Sequence, residues 1–446
     1  MKYINFGPLM NTKSIKKSKV FVLQYKNFTF LLKQYIIITG KGGIYMIARD
    51  EYLNVLKRFK DKELIKVITG IRRCGKSTLL ELFQAYLIEN GVEENQIISI
   101  NLEDLEYNFI TDYMSLYKYI NAKLEDKRKY YIFIDEVQKI DEFQKAVDSL
   151  YIKKNVDLYI TGSNANLLSS ELATFLSGRY IEVKMLPLSF KEYKEAYKDL
   201  SNEDLYQKYI SIGSLPYTTS LDTEDDVSMY LSSVYNDIII KDVMIDKKIQ
   251  DETMLRNVAN FAMDNIGNLV STNNIANTMI SDGKDINVRT VEKYLDGFIE
   301  SFFLYKCSRY DIKGKEYLKT QGKYYVSDLG FRYFMLGRKV GSFGHILENV
   351  VYFELLRRGY DVYVGKIEEY EVDFVAINKD GRMYVQIAET LKGVDINDKK
   401  ILDRELRPLK KISDNYEKIV LTSDKIPVFN EDGIKIRNVL EWLLDK

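Results

Sequence analysis

Eight consecutive residues carry the strongest chemical pattern in the chain. Gly70-Ile71-Arg72-Arg73-Cys74-Gly75-Lys76-Ser77 fits G-x-x-x-x-G-K-[ST]. Glycines at Gly70 and Gly75 let backbone N–H groups wrap an anion, and a helix opening near Lys76 points its positive dipole end at it. Lys76 is then expected at the β- and γ-phosphates of ATP and the Ser77 hydroxyl on Mg2+. Ile71, Arg72, Arg73, Cys74 and Thr78 complete the expected phosphate-binding set. Arg72 and Arg73 contact either phosphate or another domain, and the residues alone do not choose. Cys74 reads as a small residue that fits the loop. The bland alternative is a plain glycine turn before a helix.

A second pattern supplies carboxylates. Tyr130-Tyr-Ile-Phe-Ile-Asp135-Glu136 is an apolar run ending in two acids. In an open parallel sheet, ligands bind at the carboxyl ends of the strands. Asp135 is expected in the Mg2+ shell, and Glu136 is expected to orient or deprotonate the attacking water. A third run ends in Thr161-Gly162-Ser163-Asn164, where Asn164 or Ser163 is suited to sit between the γ-phosphate and the water; the alternative is an N-cap for the next helix. Leu176-Ser-Gly178-Arg179 puts an arginine on a turn. Arg179 is read either as a finger that completes a neighbouring copy's site or as an ordinary surface or interdomain arginine.

These residues need a sheet to position them. Leu64–Thr69, Gln96–Leu102, Tyr130–Ile134 and Val156–Thr161 read as buried strands, and Ser77–Ile88 has helical spacing of its apolar residues. Strands alternating with helices predict a parallel α/β sheet covered on both faces, the P-loop NTPase class. Pro187–Tyr235 reads as mainly helical, with a turn at Gly213-Ser-Leu-Pro216, and forms a lid. Asp251–Phe303 holds several helices, and Leu304–Val326 is strand-like with turns at Gly314 and Gly322. Ile346–Arg358 is predicted as a helix stopped by Gly359. Tyr360–Val364, Glu371–Ala376, Met383–Ile387 and Lys418–Thr422 are predicted strands.

Together these runs resemble a known family. Val67-Ile-Thr-Gly-Ile-Arg-Arg-Cys-Gly-Lys-Ser-Thr-Leu-Leu80, Ile134-Asp-Glu-Val-Gln138, Ile160-Thr-Gly-Ser163, Leu176-Ser-Gly-Arg179 and Gly213-Ser-Leu-Pro216 are similar to prokaryotic AAA-type P-loop ATPases fused to a C-terminal domain of unknown function. The resemblance covers about residues 46–446. It departs at Gly213-Ser214, where such proteins usually carry Gly-Gly before the proline turn. In that family the role of the ATPase is mostly unassigned, so the resemblance sharpens the chemistry more than the biology.

The C-terminal half carries two further candidates. Val270–Met279 and Asn287–Ile299 read as two helices joined by a polar turn, with Leu304–Val326 as the wing of a winged helix. Arg289 and Lys293 lie one turn apart on the second helix, and Lys306, Arg309, Lys313, Lys315, Lys319 and Lys323 stand on the wing against Asp311 and Glu316. Arg289, Lys293, Lys313, Lys315, Lys319 and Lys323 make this patch a candidate contact for duplex DNA; the alternative is protein packing with solvated lysines. Glu348, Asp373 and Gln386 resemble the core of a restriction-endonuclease-like domain. That chemistry needs a lysine two residues beyond the third ligand, where this chain has Ala388. Glu389 falls on the other strand face and Lys392 past the strand, so the site reads as degraded and used for binding or assembly.

The bulk numbers exclude other classes. Among 446 residues, Lys+Arg and Asp+Glu both total 65, so no global basic field exists. Two cysteines and one histidine exclude a disulfide scaffold and a Cys/His zinc site, and reduced thiols fit the cytoplasm. Val20–Thr39 is interrupted by Lys26 and Lys33, so no membrane span is expected. Residues 1–45 hold eight lysines and no acid, which leaves 57 − 65 = −8 for the remainder. That shift, the start of the resemblance at Met46, and a purine-rich codon option for Lys41-Gly42-Gly43 point to translation starting at Met46; the alternative is a basic arm.

The expected division is therefore an extension over 1–45 and an ATPase domain with lid over 46–240. A winged helix over 241–340 and a nuclease-like α/β domain over 341–446 follow. The expected activity is Mg2+-dependent ATP hydrolysis driving a switch, in a homo-oligomer if Arg179 acts in trans, with nucleic acid as a candidate target. The alternatives are an ATP-dependent nuclease and a non-hydrolysing ATP sensor that binds a protein.

Overall fold

Two three-residue strands, β1 (Ile38–Gly40) and β2 (Gly43–Tyr45), pair as an antiparallel hairpin. The computed structural model describes residues 38–40, 43–45, 47–168, 178–337, 343–392 and 400–445. The expected start at Met46 lies outside the described residues, as do residues 1–37 and Leu176–Ser177.

Apolar runs build the first sheet. Its strands are β3 (Ile65–Thr69), β4 (Ile97–Asn101), β5 (Tyr130–Asp135), β6 (Val156–Gly162) and β7 (Tyr180–Lys184). They lie in the order β4-β5-β6-β3-β7, and every neighbouring pair is parallel. Period-two alternation sends the side chains to two separate cores. Ile68, Tyr131, Phe133 and Tyr159 join Leu79 and Phe83 on one face. Val67, Ile132, Ile134 and Ile160 join Leu116, Ala146 and Leu150 on the other. Both faces are thus covered, as the continuous apolar strands require. β7 was not among the predicted strands: it is an edge strand with one buried residue, Val183, so its hydrophobic signal is weak.

Helices 190–196, 202–212 and 224–237 follow β7, and the last runs on into a π-helical stretch, Ile238–Ile245. Helices 252–264, 272–281 and 288–300 come next. β8 (Leu304–Asp311) and β9 (Glu316–Val326) then form an antiparallel hairpin. Gly322, expected as a turn, instead lies inside β9, faces Ser308 and bridges Val270. Helix Phe343–Arg357 is followed by Gly359 at φ +79°, the left-handed stop expected there.

The last strands are β10 (Asp361–Ile367), β11 (Tyr370–Asn378), β12 (Gly381–Ala388), β13 (Glu417–Thr422), β14 (Phe429–Glu431) and β15 (Ile434–Asn438). They make one eight-stranded sheet with the hairpin, ordered β14-β15-β13-β12-β11-β10-β8-β9. The expected boundary at 340/341 therefore runs through a sheet, because β8 and β10 pair in parallel at Val364 and Arg309. Among the described residues no helix is long and apolar enough to cross a membrane.

Candidate nucleotide site

The loop Gly70–Gly75 leaves the carboxyl end of β3 and enters helix Lys76–Glu89. Two glycines are obligatory for steric reasons. Gly70 has φ +150°, and a Cβ on it would stand 2.2 Å from the carbonyl oxygen of Met185. Gly75 caps the helix at φ +100°, a left-handed conformation that side chains resist. The loop is a bare-backbone cradle at a helix N-terminus, the arrangement that receives phosphate.

Lys76 is buried at this point. Its Nζ donates to the carbonyl oxygens of Gly70 at 2.9 Å and Ile71 at 3.2 Å, and lies 3.7 Å from Glu136 Oε1. Cys74 is fully buried, and burial raises its thiol pKa, in keeping with a residue that merely fits. Arg49 braces the loop from outside, donating to the carbonyl oxygen of Cys74 at 3.0 Å.

Asp135 ends β5 and Glu136 follows it in the left-handed region at φ +54°. Both are buried. Thr161, at the end of the neighbouring β6, donates its hydroxyl to Asp135 and accepts the Glu136 N–H at 2.9 Å. Burial pushes the Asp135 carboxyl up, against the hydroxyls of Ser77 and Thr161. A carboxylate held by neutral hydroxyls, one of them Ser77, is a donor set that suits a hard divalent cation. For Glu136 burial also raises the pKa, but Lys76, Gln138, Arg72 and Ser163 outweigh it and hold the carboxyl below its usual range. Ser163 Oγ donates to Glu136 Oε2 at 3.1 Å, and Gln138 Nε2 donates to the same oxygen.

Several expectations change here. Ser163, not Asn164, touches Glu136; the Asn164 side-chain amide donates to Asp246. Arg72 turns to another part of the chain, with Nε and Nη2 donating to the two carboxylate oxygens of Asp242 at 2.7 Å each. Arg73 is exposed, at φ +65°. Thr161, Gln138, Asp242 and Asp246 were missed. The first two lie inside motifs already singled out, whereas the two aspartates are more than 75 residues from the groups they hold and carry no local signal.

Arg179 immediately precedes β7, and its carbonyl oxygen accepts the N–H of Ile65, the first residue of β3. It therefore lies at the edge of the sheet opposite its own phosphate loop. Its side chain pairs with Asp148 and stands over the ring of Tyr151.

The basic patch is smaller than expected. Arg289, Lys293, Lys306, Lys313 and Lys315 are exposed, and the side chain of Lys319 lies outside the described residues. Lys323 is a correction: at 3% exposure it cannot reach a phosphate backbone. Its Nζ lies 2.8 Å from Glu348 and from Glu371, and 3.9 Å from Asp373. Strand alternation points it inward, and those carboxylates outweigh burial and raise its pKa. Ala388 is buried on β12, and Gln386 Nε2 donates to Glu405 at 3.1 Å. The ammonium that stands beside Glu348 and Asp373 is that of Lys323 on β9. Among the described residues no three His, Cys, Asp or Glu side chains are grouped to hold a metal by themselves.

Residues 62–194 match the model of a family described as an AAA domain, and residues 203–341 match a domain of unknown function. An uncharacterized protein of Haemophilus influenzae is 40% identical over 405 residues, covering 90% of this chain and 99% of that one. An uncharacterized protein of Methanocaldococcus jannaschii is 28% identical over 390 residues, covering 83% of each. Among solved structures, a Walker-type ATPase of Pyrococcus abyssi aligns at a TM-score of 0.40 and 14% identity, over 65% of this chain and 96% of that one.

Proposed function

The chain belongs to one family with the Haemophilus influenzae protein and carries an AAA-type ATPase domain over residues 62–194, and from that premise we propose that it binds ATP with Mg2+ at Gly70–Thr78 and hydrolyses it to ADP and phosphate. The observation that carries this reading is the convergence of Lys76, Ser77, Asp135 and Glu136 on one sheet edge, with Lys76 3.7 Å from Glu136 and the Ser77 hydroxyl among the groups that favour the Asp135 carboxylate. Lys76 directs its charge at the β- and γ-phosphates, and the backbone N–H groups between Gly70 and Gly75 receive the remaining phosphate oxygens. Ser77 and Asp135 are the residues that would hold Mg2+, which when bound would supply charge neutralisation at the phosphates. Glu136, kept ionised by Lys76, accepts a proton from the attacking water, and Ser163 fixes the carboxylate that does so. Arg179 serves the site of a neighbouring copy, a role supported by its position at the far edge of its own sheet. The direct test is titration with a fluorescent ATP analogue: saturable binding by the wild type that is lost in Lys76→Ala supports the reading, and equal affinity for both defeats it.

The domain after the ATPase is read as a winged helix that touches duplex DNA through Arg289, Lys293, Lys313 and Lys315, with hydrolysis acting as a switch on that contact. What supports this is the order of helices 252–264, 272–281 and 288–300 before the β8–β9 hairpin, and the exposure of those four cations. A second reading, an ATP-dependent nuclease, is favoured by one observation: Lys323 stands at Glu348 and Asp373 in place of the missing lysine at Ala388.

A further inference from the structure

The π-helical stretch Ile238–Ile245 is the first part of the chain beyond the lid helices, and it is tied directly to the phosphate edge of the ATPase sheet. Asp242 on this stretch is 5% exposed and accepts both hydrogen bonds from Arg72 of the phosphate loop. Asp246, four residues on and therefore on the same helical face, accepts from Asn164 at the end of β6. Two elements of the phosphate site, separated by 92 residues of sequence (164 − 72), thus grip one helix face. π-helical geometry is rare and concentrates at functional sites.

On its other side the stretch rests on the helix Val288–Glu300. A Cβ added at Gly297 of that helix would meet Val243 Cγ1 at 2.7 Å, so the two backbones approach closely. Lys247 pairs with Glu300 at 2.5 Å, and Lys293 donates to the carbonyl oxygen of Lys248 at 3.5 Å. Arg289 and Lys293, two of the cations assigned to DNA, are on that same helix.

We propose that Asp242 and Asp246 are positioning residues of a nucleotide-sensing latch, which hold Arg72 and Asn164 and release helix Ile238–Ile245, and with it helix Val288–Glu300, when a nucleoside triphosphate enters. This inference rests on the ATP-binding reading above. The driving force is competition and repulsion. The Arg72 guanidinium is surrounded by carboxylates, with Asp242 on one edge and Glu103 3.5 Å from Nη1. Phosphate oxygens arriving beside the loop compete for the same donors and bring negative charge toward Asp242, whose carboxyl already feels Glu136. Burial raises the Asp242 pKa to about 6 even against Arg72, so this carboxylate is held by a single strong partner and is poorly stabilised without it. A ligand that interacts differently with the two states shifts the balance between them.

The experiment is hydrogen–deuterium exchange on the full chain, with Glu136→Gln as background to keep ATP intact, read together with ATP affinity. With ATP, amides of 238–246 are expected to exchange at least about tenfold faster than in the ligand-free protein. Asp242→Asn is expected to show the fast exchange without nucleotide and to bind ATP about tenfold more tightly, because the competing carboxylate is gone; Asp242→Glu is expected to restore both. A purely structural pair predicts otherwise: ATP binds, exchange over 238–246 is the same with and without it, and Asp242→Asn leaves affinity unchanged or weaker. That result overturns the latch while leaving ATP binding intact. Should Asp242→Asn fail to fold, the ATP-dependent exchange of the Glu136→Gln protein alone decides between the two. No ATP binding at all would remove the latch together with the reading beneath it.

Discussion

Thr161 accepts the backbone N–H of Glu136 at 2.9 Å while its hydroxyl proton goes to Asp135. One hydroxyl on β6 thereby sets both acids at the end of β5. Thr161→Val keeps the shape of the side chain and removes both bonds. The expected result is ATP affinity within a few-fold of wild type and a turnover rate lower by about 10–100-fold, consistent with losing the one bond to a charged carboxylate, worth about 1.5–3 kcal/mol. Steady-state kinetics that separate kcat from KM check this. A variant that loses affinity and keeps kcat contradicts the role given to Thr161.

Arg179 is predicted to act across a subunit boundary. Arg179→Ala should bind ATP normally and hydrolyse it slowly. Mixing it with Lys76→Ala, itself inactive, should recover activity, because a mixed assembly contains an intact site with an intact neighbour's arginine. Full activity of Arg179→Ala alone ends the finger assignment. Since Asp148 holds Arg179 in the isolated chain, Asp148→Asn should leave the recovered activity intact.

DNA binding should be weak and steeply salt-dependent. Each phosphate neutralised contributes about 0.9 to the slope of log K against log salt. Replacing Arg289, Lys293, Lys313 and Lys315 with Glu should abolish the binding, as measured by fluorescence anisotropy. An affinity insensitive to salt, or none at low salt, assigns these cations to solvent or protein contacts.

Lys323 should matter for stability, whatever the domain does. Lys323→Met leaves Glu348 and Glu371 without their cation, with Glu348 buried, a change that typically costs about 3–5 kcal/mol. A denaturant midpoint equal to wild type would contradict the burial of this pair. The same protein preparation tests the nuclease reading. Duplex cleavage with Mg2+ or Mn2+ that disappears in Asp373→Asn supports it, and DNA binding without cleavage removes it.

The nucleotide loop was legible because its residues are contiguous and because glycine, lysine and serine at fixed spacing have few other uses. Asp135 and Glu136 were legible because two acids terminate an otherwise apolar strand. What sequence order hides is the partner supplied from afar. Asp242 reaches Arg72 over 170 residues, and Lys323 on β9 reaches Glu348 on the helix Phe343–Arg357. The spacing pattern looks for a lysine two residues after Gln386, whereas the ammonium beside Glu348 and Asp373 belongs to Lys323 on β9. The hairpin read as a free wing proved to be one edge of the C-terminal sheet, since parallel pairing of β8 with β10 leaves no periodic mark. Lys323 read as one of the basic residues of the wing, and its burial follows from β9 packing against the helix that carries Glu348.

The central claim is hydrolysis at Glu136, and phosphate release under multiple turnover tests it most directly. With ATP and Mg2+ in excess, the wild-type protein should release many equivalents of phosphate per chain. Glu136→Gln should bind ATP with unchanged or tighter affinity and release phosphate at least about 100-fold more slowly, because the base that takes the proton of water is gone. Equal rates for the two proteins, or no release beyond one equivalent from the wild type, would contradict the account.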